Sequence, residues 1–480
     1  CVGEDGSIRE RSGEDVILTN HGSTVANIIL QYAPDTFFCS IRIFFDDTLS
    51  ATHRQLAAGL NWCFEQRVPV VHLSAGTKSM ADYDSIRPVV ARMVLQGQIL
   101  VAAHSNSEGY CMPAGLSGGF CVRADASMTG FSYAADTREN GMAFRASSRH
   151  GKLCGEETVF ANIYAAPTVT AAVCLHYGEY SSVRNCGQAL YRKLTGREPC
   201  YWTPDFAENV VVVNRSGVAL TEAAFFFSQS REHAIAVCDG ADKRNDSEKN
   251  LKKVLVWIPG KKDVGSEENL LVQAADRDDV AGVVYCGTLS QEVGIRLREH
   301  LVWDETRRPK TELEWQESEG QEVLSGLKGG NVRGQEVASR LEEEDAEEPV
   351  MLPLVMLLGE RSEVIRFAAA LRKLFLQEKY SCVCVSDIPM SYLYGMFDVS
   401  SGIFGNIELE MVRKNFHPDL VFCCSEHWMK GIGADHYFVI DLSSVCREEG
   451  IIVNLDFSTV NSVNPVEAAK ERILTYTWPD

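Results

Sequence analysis

Val68-Pro69-Val70-Val71-His72-Leu73-Ser74, a helical pattern over residues 84–96, and then Ile99-Leu100-Val101-Ala102-Ala103-His104-Ser105-Asn106 form the stretch that decides the fold. The two flanking runs are short, aliphatic and bounded by polar residues, as buried strands are, and the segment between them places apolar residues at helical spacing. Strands joined through a helix pair in parallel, since an antiparallel return needs only a tight turn. A parallel sheet is covered on both faces and keeps its functional groups at the carboxyl ends of its strands. His104-Ser105-Asn106 stands at such an end.

The alternation extends in both directions. Upstream, residues 20–31 carry Val25, Ile28 and Ile29 at helical spacing, residues 37–45 alternate like a strand, and residues 52–66 are amphipathic. Downstream, residues 165–177 read as a helix. The expected class is therefore α/β, with residues 1–185 forming a parallel sheet with helices on both faces. Strand candidates at 209–213, 234–238, 253–258 and 280–286 then mark a middle α/β unit over residues 186–315. Residues 316–349 are acidic and include Leu341-Glu342-Glu343-Glu344-Asp345, a composition that suits a solvated linker. A C-terminal α/β domain over residues 350–480 has strands expected at 352–359, 381–386, 419–424, 437–442 and 451–456, and a helix at 363–377. Gly359-Glu360-Arg361-Ser362-Glu363 sits where a phosphate-binding loop would. It lacks a second glycine and a Lys-Ser/Thr pair, and it puts two carboxylates where phosphate charge would lie, so no nucleotide cofactor is expected.

Composition narrows the function classes. The 480 residues include 46 basic and 66 acidic ones, a net charge of −20, with 45% apolar and 23% charged residues. That is an ordinary globular composition with length for two to four domains. Strong acidity with scattered basic residues argues against nucleic acid and against an anionic membrane surface as partners. The longest apolar run, 350–358, contains Pro353 and is far too short to cross a bilayer. No signal peptide is visible before the first motif, and the 16 cysteines lack the dense spacing of a disulfide scaffold, so reduced thiols in a cytoplasmic protein are expected. Cys423 and Cys424, near His427, do not make a metal site, because neighbours on one strand point to opposite faces. Cys382 and Cys384 alternate and read as core.

Four segments share one architecture. Asn20-His21-Gly22-Ser23-Thr24-Val25-Ala26 opens a helix with an imidazole; Val70-Val71-His72-Leu73-Ser74-Ala75-Gly76 is a strand running into a small-residue turn; Ala102-Ala103-His104-Ser105-Asn106, followed by Pro113-Ala114, ends a strand with an amide; Ala161-Asn162-Ile163-Tyr164-Ala165-Ala166-Pro167 opens another helix. In this order they resemble the histidine, substrate-strand, oxyanion-asparagine and nucleophile motifs of the subtilisin-like serine peptidases. The resemblance implies that His21 is the general base, that Asn106 stabilises an oxyanion, and that Val71, Leu73, Ser74 and Gly76 line an extended peptide. Each role has independent physics. An imidazole at a helix start can take a proton from a hydroxyl and return it to a leaving amine, although a lone histidine is ordinarily just a satisfied side chain. An amide donor can hold the negative oxygen of a tetrahedral intermediate, although Ser-Asn-Ser-Glu-Gly is also good turn sequence.

The departures decide the mechanism expected. Aligning Ala165-Ala166-Pro167 with the family's motif puts Ile163 at the nucleophile position, and isoleucine has no atom that can attack a carbonyl. Ser147 and Ser148 precede the turn. The aspartate that would orient the base is also missing: Asp5 and Asp15 lie in polar, loop-like sequence, and the family's first strand is not seen before His21. Within the family the chain most resembles subtilase-like proteins of bacterial peptide-maturation systems, through Gln31-Tyr32-Ala33-Pro34, Asn61-Trp62-Cys63 and Trp303-Asp304-Glu305-Thr306. That resemblance implies a peptide or precursor-peptide substrate bound without cleavage, an active endopeptidase trimming leader peptides as the rival, or a scaffold that docks a peptide maturase.

Overall fold

A computed structural model describes residues 1–10, 20–44, 50–229, 252–260, 264–307, 353–399, 412–427, 437–442 and 464–475, apart from 108, 137–140, 154, 155, 200, 202 and 414. The first unit runs α1 (His21–Tyr32), α2 (His53–Glu65), β1 (Val70–Leu73), α3 (Tyr83–Leu95), β2 (Ile99–Ala103), β3 (Phe120–Ala124), β4 (Tyr133–Ala135), β5 (Met142–Ala146), the short pair β6 (Lys152–Leu153) and β7 (Glu156–Glu157), α4 (Asn162–Tyr180) and α5 (Cys186–Thr195). Its sheet has the order β1-β2-β3-β5-β4, parallel except for β4. Alternate residues of β2 face opposite layers. Ile99, Val101 and Ala103 pack with α4 and α5, whereas Leu100 packs with α2 and α3.

Local sequence explains the helices that frame the site. Thr52 and Gln55 form a reciprocal capping box at the start of α2. Residues 165–173 of α4 are all buried, because this helix lies between the sheet and α1, where Val25, Ile29 and Ala33 pack on Ala171. Pro167 falls inside α4 and has no N–H to donate to the carbonyl four residues back, which is that of Ile163. That carbonyl lies 3.4 Å from Ser74 Oγ instead.

The second sheet is fully parallel, with β8 (Val210–Asn214), β9 (Lys253–Ile258), α6 (Val264–Ala275), β10 (Val280–Tyr285), α7 (Gln291–Arg296) and β11 (Leu301–Trp303) in the order β11-β10-β9-β8. The third is parallel too: β12 (Leu354–Leu358), α8 (Arg361–Gln377), β13 (Cys382–Ser386), β14 (Phe397–Asp398), β15 (Leu420–Ser425), β16 (Tyr437–Asp441) and α9 (Pro465–Thr475), ordered β14-β13-β15-β12-β16. The α/β expectation thus holds in all three sheets. One apolar cluster joins Tyr201, Val254 and Trp303 of the second to Val355, Phe375 and Tyr392 of the third, so these units share a core.

Three expectations change. Residues 37–44 form no strand: Ile41 and Ile43 lie against Gly59 of α2 while Phe37 is 99% exposed, so the alternation reflects a segment lying on a helix rather than a ladder. The first unit extends past residue 185, because Cys186, Leu190 and Tyr191 of α5 complete its core with Phe120 and Phe144. Strands β3, β4 and β5 join the sheet where no strand was expected. The strands expected at 234–238 and 451–456 and the linker at 316–349 lie outside the described residues. Cys423 and Cys424 do face opposite layers of the third sheet, Cys382 and Cys384 are core, and no group of metal ligands occurs among the described residues. No helix of the described residues is long and apolar enough to cross a membrane.

Candidate functional site

The first turn of α4 meets the carboxyl ends of β1, β2 and β3, and Asn162 makes the junction. Its Oδ1 accepts from Ala124 N–H at 2.7 Å, its Nδ2 donates to the carbonyls of His104 (3.2 Å) and Ser105 (2.6 Å), and its own N–H donates to Asn106 Oδ1 at 2.9 Å. Only the oxygen of an amide can accept an N–H, so the Asn106 amide must turn its NH2 away, and Asn106 is exposed. The Ile163 N–H lies in the first turn, where a helix has no internal acceptor. Among the described residues neither the Ile163 N–H nor the Asn106 NH2 has a partner, so two neutral donors stand at this end of the sheet.

Three histidines around α4 are locked neutral by their partners. Thr170 Oγ1 donates to Ala166 O at 3.1 Å and so accepts the Nδ1–H of His72 at 2.8 Å; the bare Nε2 of His72 then accepts the hydroxyl of Ser74 at 2.8 Å. Burial, with a smaller push from His21, takes the His72 pKa down to about 3. His150 donates from Nε2 to Tyr164 O at 2.9 Å and accepts Tyr32 Oη–H on Nδ1 at 3.0 Å, and burial lowers its pKa. His104 donates from Nδ1 to Ser105 O at 3.2 Å and accepts from Arg123 Nη2 on Nε2 at 3.0 Å; burial first, and the Arg123 charge second, take it to about 4. A base this weak cannot draw a proton from a serine at neutral pH, so the Ser74–His72–Thr170 chain orients a hydroxyl.

The residues singled out from sequence converge here. His21 opens α1 with its ring 5.9 Å from that of Tyr164, the residue after Ile163, and burial lowers its pKa. Ile163 is the second residue of α4 and is half-buried; its carbonyl, unbonded to Pro167, lies 3.4 Å from Ser74 Oγ. Val71 is buried beneath α2 and α3, so its side chain belongs to the core, and among the described residues β1 is an outer strand of its sheet, paired with β2. Leu73 is half-buried. Gly76 is exposed and must be glycine, since a Cβ would lie 2.7 Å from Cys111 Sγ and from Met112 O. The next residue, Thr77, exchanges both backbone bonds with Met112 at 2.8 Å, which anchors this end of the strand.

No orienting carboxylate is supplied by Asp5, which accepts the N–H of Ser7 in a local turn; Asp15 lies outside the described residues. Sequence reading missed the bracing role of Asn162 and the parts of His72, His104, His150 and Tyr164. A polar His72 inside an otherwise apolar strand was the available signal. A scan of protein-family models finds no match to this chain, and no curated protein matches it.

Proposed function

We propose that the first unit is a subtilisin-like, degenerate peptidase domain that binds extended peptide at the start of α4 without hydrolysing it, within a peptide-maturation system and in the cytoplasm. The observation that carries this reading is Ile163 at the second position of α4, next to Tyr164, whose ring lies 5.9 Å from that of His21, with Ser74 Oγ 3.4 Å from its carbonyl and the exposed Asn106 amide beside Asn162. The oxyanion donors and the imidazole remain, but the attacking atom is an alkyl carbon. A peptidase stripped of its nucleophile keeps only the residual rate from binding and oxyanion stabilisation. Main-chain pairing along the outer edge of β1 would supply affinity and the side-chain pockets selection. The twelve described cysteines, all free thiols, agree with a reducing compartment.

The test is incubation of the purified chain with a pool of synthetic extended peptides. Binding without new termini supports the reading, and hydrolysis that disappears in His21→Ala overturns it. One observation favours the rival, an active serine endopeptidase: Ser74 Oγ is within hydrogen-bond distance of an imidazole. Fluorophosphonate labelling of Ser74 would establish that rival, because only an activated serine reacts. The low basicity of His72 argues for no labelling.

A further inference from the structure

A guanidinium keeps its charge at any ordinary pH, and folding takes one out of water at little cost only where acceptors meet it. Arg372, on α8, is half-buried, and its Nε has lost its water without gaining a hydrogen bond. It makes no ion pair among the described residues. Its guanidinium carbon lies 5.8 Å from the centre of the Tyr83 ring, whose face attracts a cation but cannot accept along a lone pair. Arg372 lines a cavity of about 30 Å³ with Tyr83 and Tyr110 of the first unit, Thr203 and Asp205 of the segment before β8, and Cys384 of β13. The hydroxyls of Tyr83, Tyr110 and Thr203 also have no hydrogen-bond partner among the described residues. Burial raises the pKa of both phenols, so they keep their protons and can donate. Among the described residues two carboxylates bear on these groups, Asp205 and Asp84. Neither serves Arg372: Asp205 spends its oxygens on the N–H and hydroxyl of Ser117, and Asp84 is exposed on α3. Glu108, two residues before Tyr110, lies outside the described residues. The rival acceptor is Cys384, whose thiol pKa is lowered by the Cys424 thiol first and, against burial, by Arg372.

One cation and three hydroxyls thus line a small space that is rich in donors. We propose that this cavity binds a small monovalent anion, of the size of chloride or nitrate, with the Arg372 guanidinium and the hydroxyls of Tyr83, Tyr110 and Thr203 as its donors. A cavity of this size holds about two water molecules, which favours a small ion over sulfate or phosphate. One negative charge neutralises Arg372, and a second would have to be desolvated without a partner. Since the donors come from three parts of the chain, the bound anion ties the first unit to the third and stabilises the folded chain by mass action. The site is separate from the start of α4 and does not depend on the peptide-binding reading.

The test is thermal unfolding of the full chain while gluconate, which is too large to enter, is exchanged for chloride at constant ionic strength. Effects of the salts on the general surface are removed by subtracting the same titration of Arg372→Gln. The expected result is a Tm rise of about 3 °C in the unaltered chain beyond that of the variant, saturating with chloride and reproduced by nitrate. Chlorine NMR of the folded chain needs no variant: the protein should broaden the chloride line, and nitrate should narrow it again where sulfate of equal ionic strength does not. Equal Tm responses in the two proteins overturn the proposal, in favour of a Cys384 thiolate as the partner of Arg372. A chloride line that nitrate fails to narrow overturns it too. Equal narrowing by sulfate also overturns it, by assigning the binding to exposed cations. If Arg372→Gln does not fold, the chloride line alone decides.

Discussion

Arg87 and Asn162 are both buried polar side chains that stitch distant segments together, and they differ in what they leave over. Arg87, 4% exposed on α3, donates to the carbonyls of Asp205 (3.2 Å), Ala207 (3.0 Å) and Phe226 (3.1 Å) and to Glu208 Oε2 at 2.7 Å. The second Glu208 oxygen accepts from Ser228, and Asp205 accepts from the N–H and hydroxyl of Ser117. Every bond there closes inside the protein. Asn162 is equally occupied, but its partner Asn106 and its neighbour Ile163 keep donors for something outside. A closed hub holds units together, whereas an open one has donors left to offer.

If that contrast is right, Arg87→Ala should cost about 3–5 kcal/mol in urea unfolding, because Glu208 is left as an unpaired buried charge. A loss below about 1 kcal/mol would mean that the junction is wetter than its geometry implies. Asn162→Ala removes three side-chain bonds and should cost about 2–3 kcal/mol, again read in urea, with peptide retention falling in the folded fraction too. Retention unchanged in folded Asn162→Ala would break the link between this hub and binding.

The two regions also titrate in opposite directions. His72 has its pKa depressed to about 3, so above about 6.5 neither folded nor unfolded chain holds the proton; as pH falls toward 3 the unfolded chain takes it up and stability is lost. Asp205 is raised by burial to about 6, so between 6 and about 4 the folded chain holds the extra proton and stability is gained as pH falls. Thermal unfolding across pH 7 to 4 should show less acid destabilisation in His72→Asn and more in Asp205→Asn. The same slope in both would remove the contrast. The smallest effect concerns chemistry: Ile163→Ser places a hydroxyl one residue from Tyr164, whose ring lies 5.9 Å from that of His21, and should give slow, partial fluorophosphonate labelling at the introduced hydroxyl, well short of complete modification, because Asp5 is held in its local turn with Ser7. Rapid stoichiometric labelling would show that the base is already fully oriented.

Much of the fold was legible because buried parallel strands announce themselves as continuous apolar runs. Residues 253–258, 280–285 and 382–386 did so. Strand β3 did not, since Phe120-Cys121-Val122 is short, follows Gly118-Gly119 and continues into Arg123. Residues 37–44 misled because alternation records one-sided burial, and a helix surface can provide that as well as a sheet. At the candidate site the motif positions were visible, and His21, Ile163, Ser74 and Asn106 do come together. The bracing by Asn162 was not visible, because its partners lie 38 to 58 residues away.

Sequence alone determined the layered α/β alternation and the absence of any nucleophilic atom at position 163, since both follow from side-chain chemistry and local spacing. Tertiary structure decided which polar groups are spent and which are left to act. Hydrogen-bond partners and proton affinities depend on burial and on neighbours that are remote in the chain, so whether His72 is a base and whether Asn106 has a donor to offer were settled only when α4 was set against the ends of three strands.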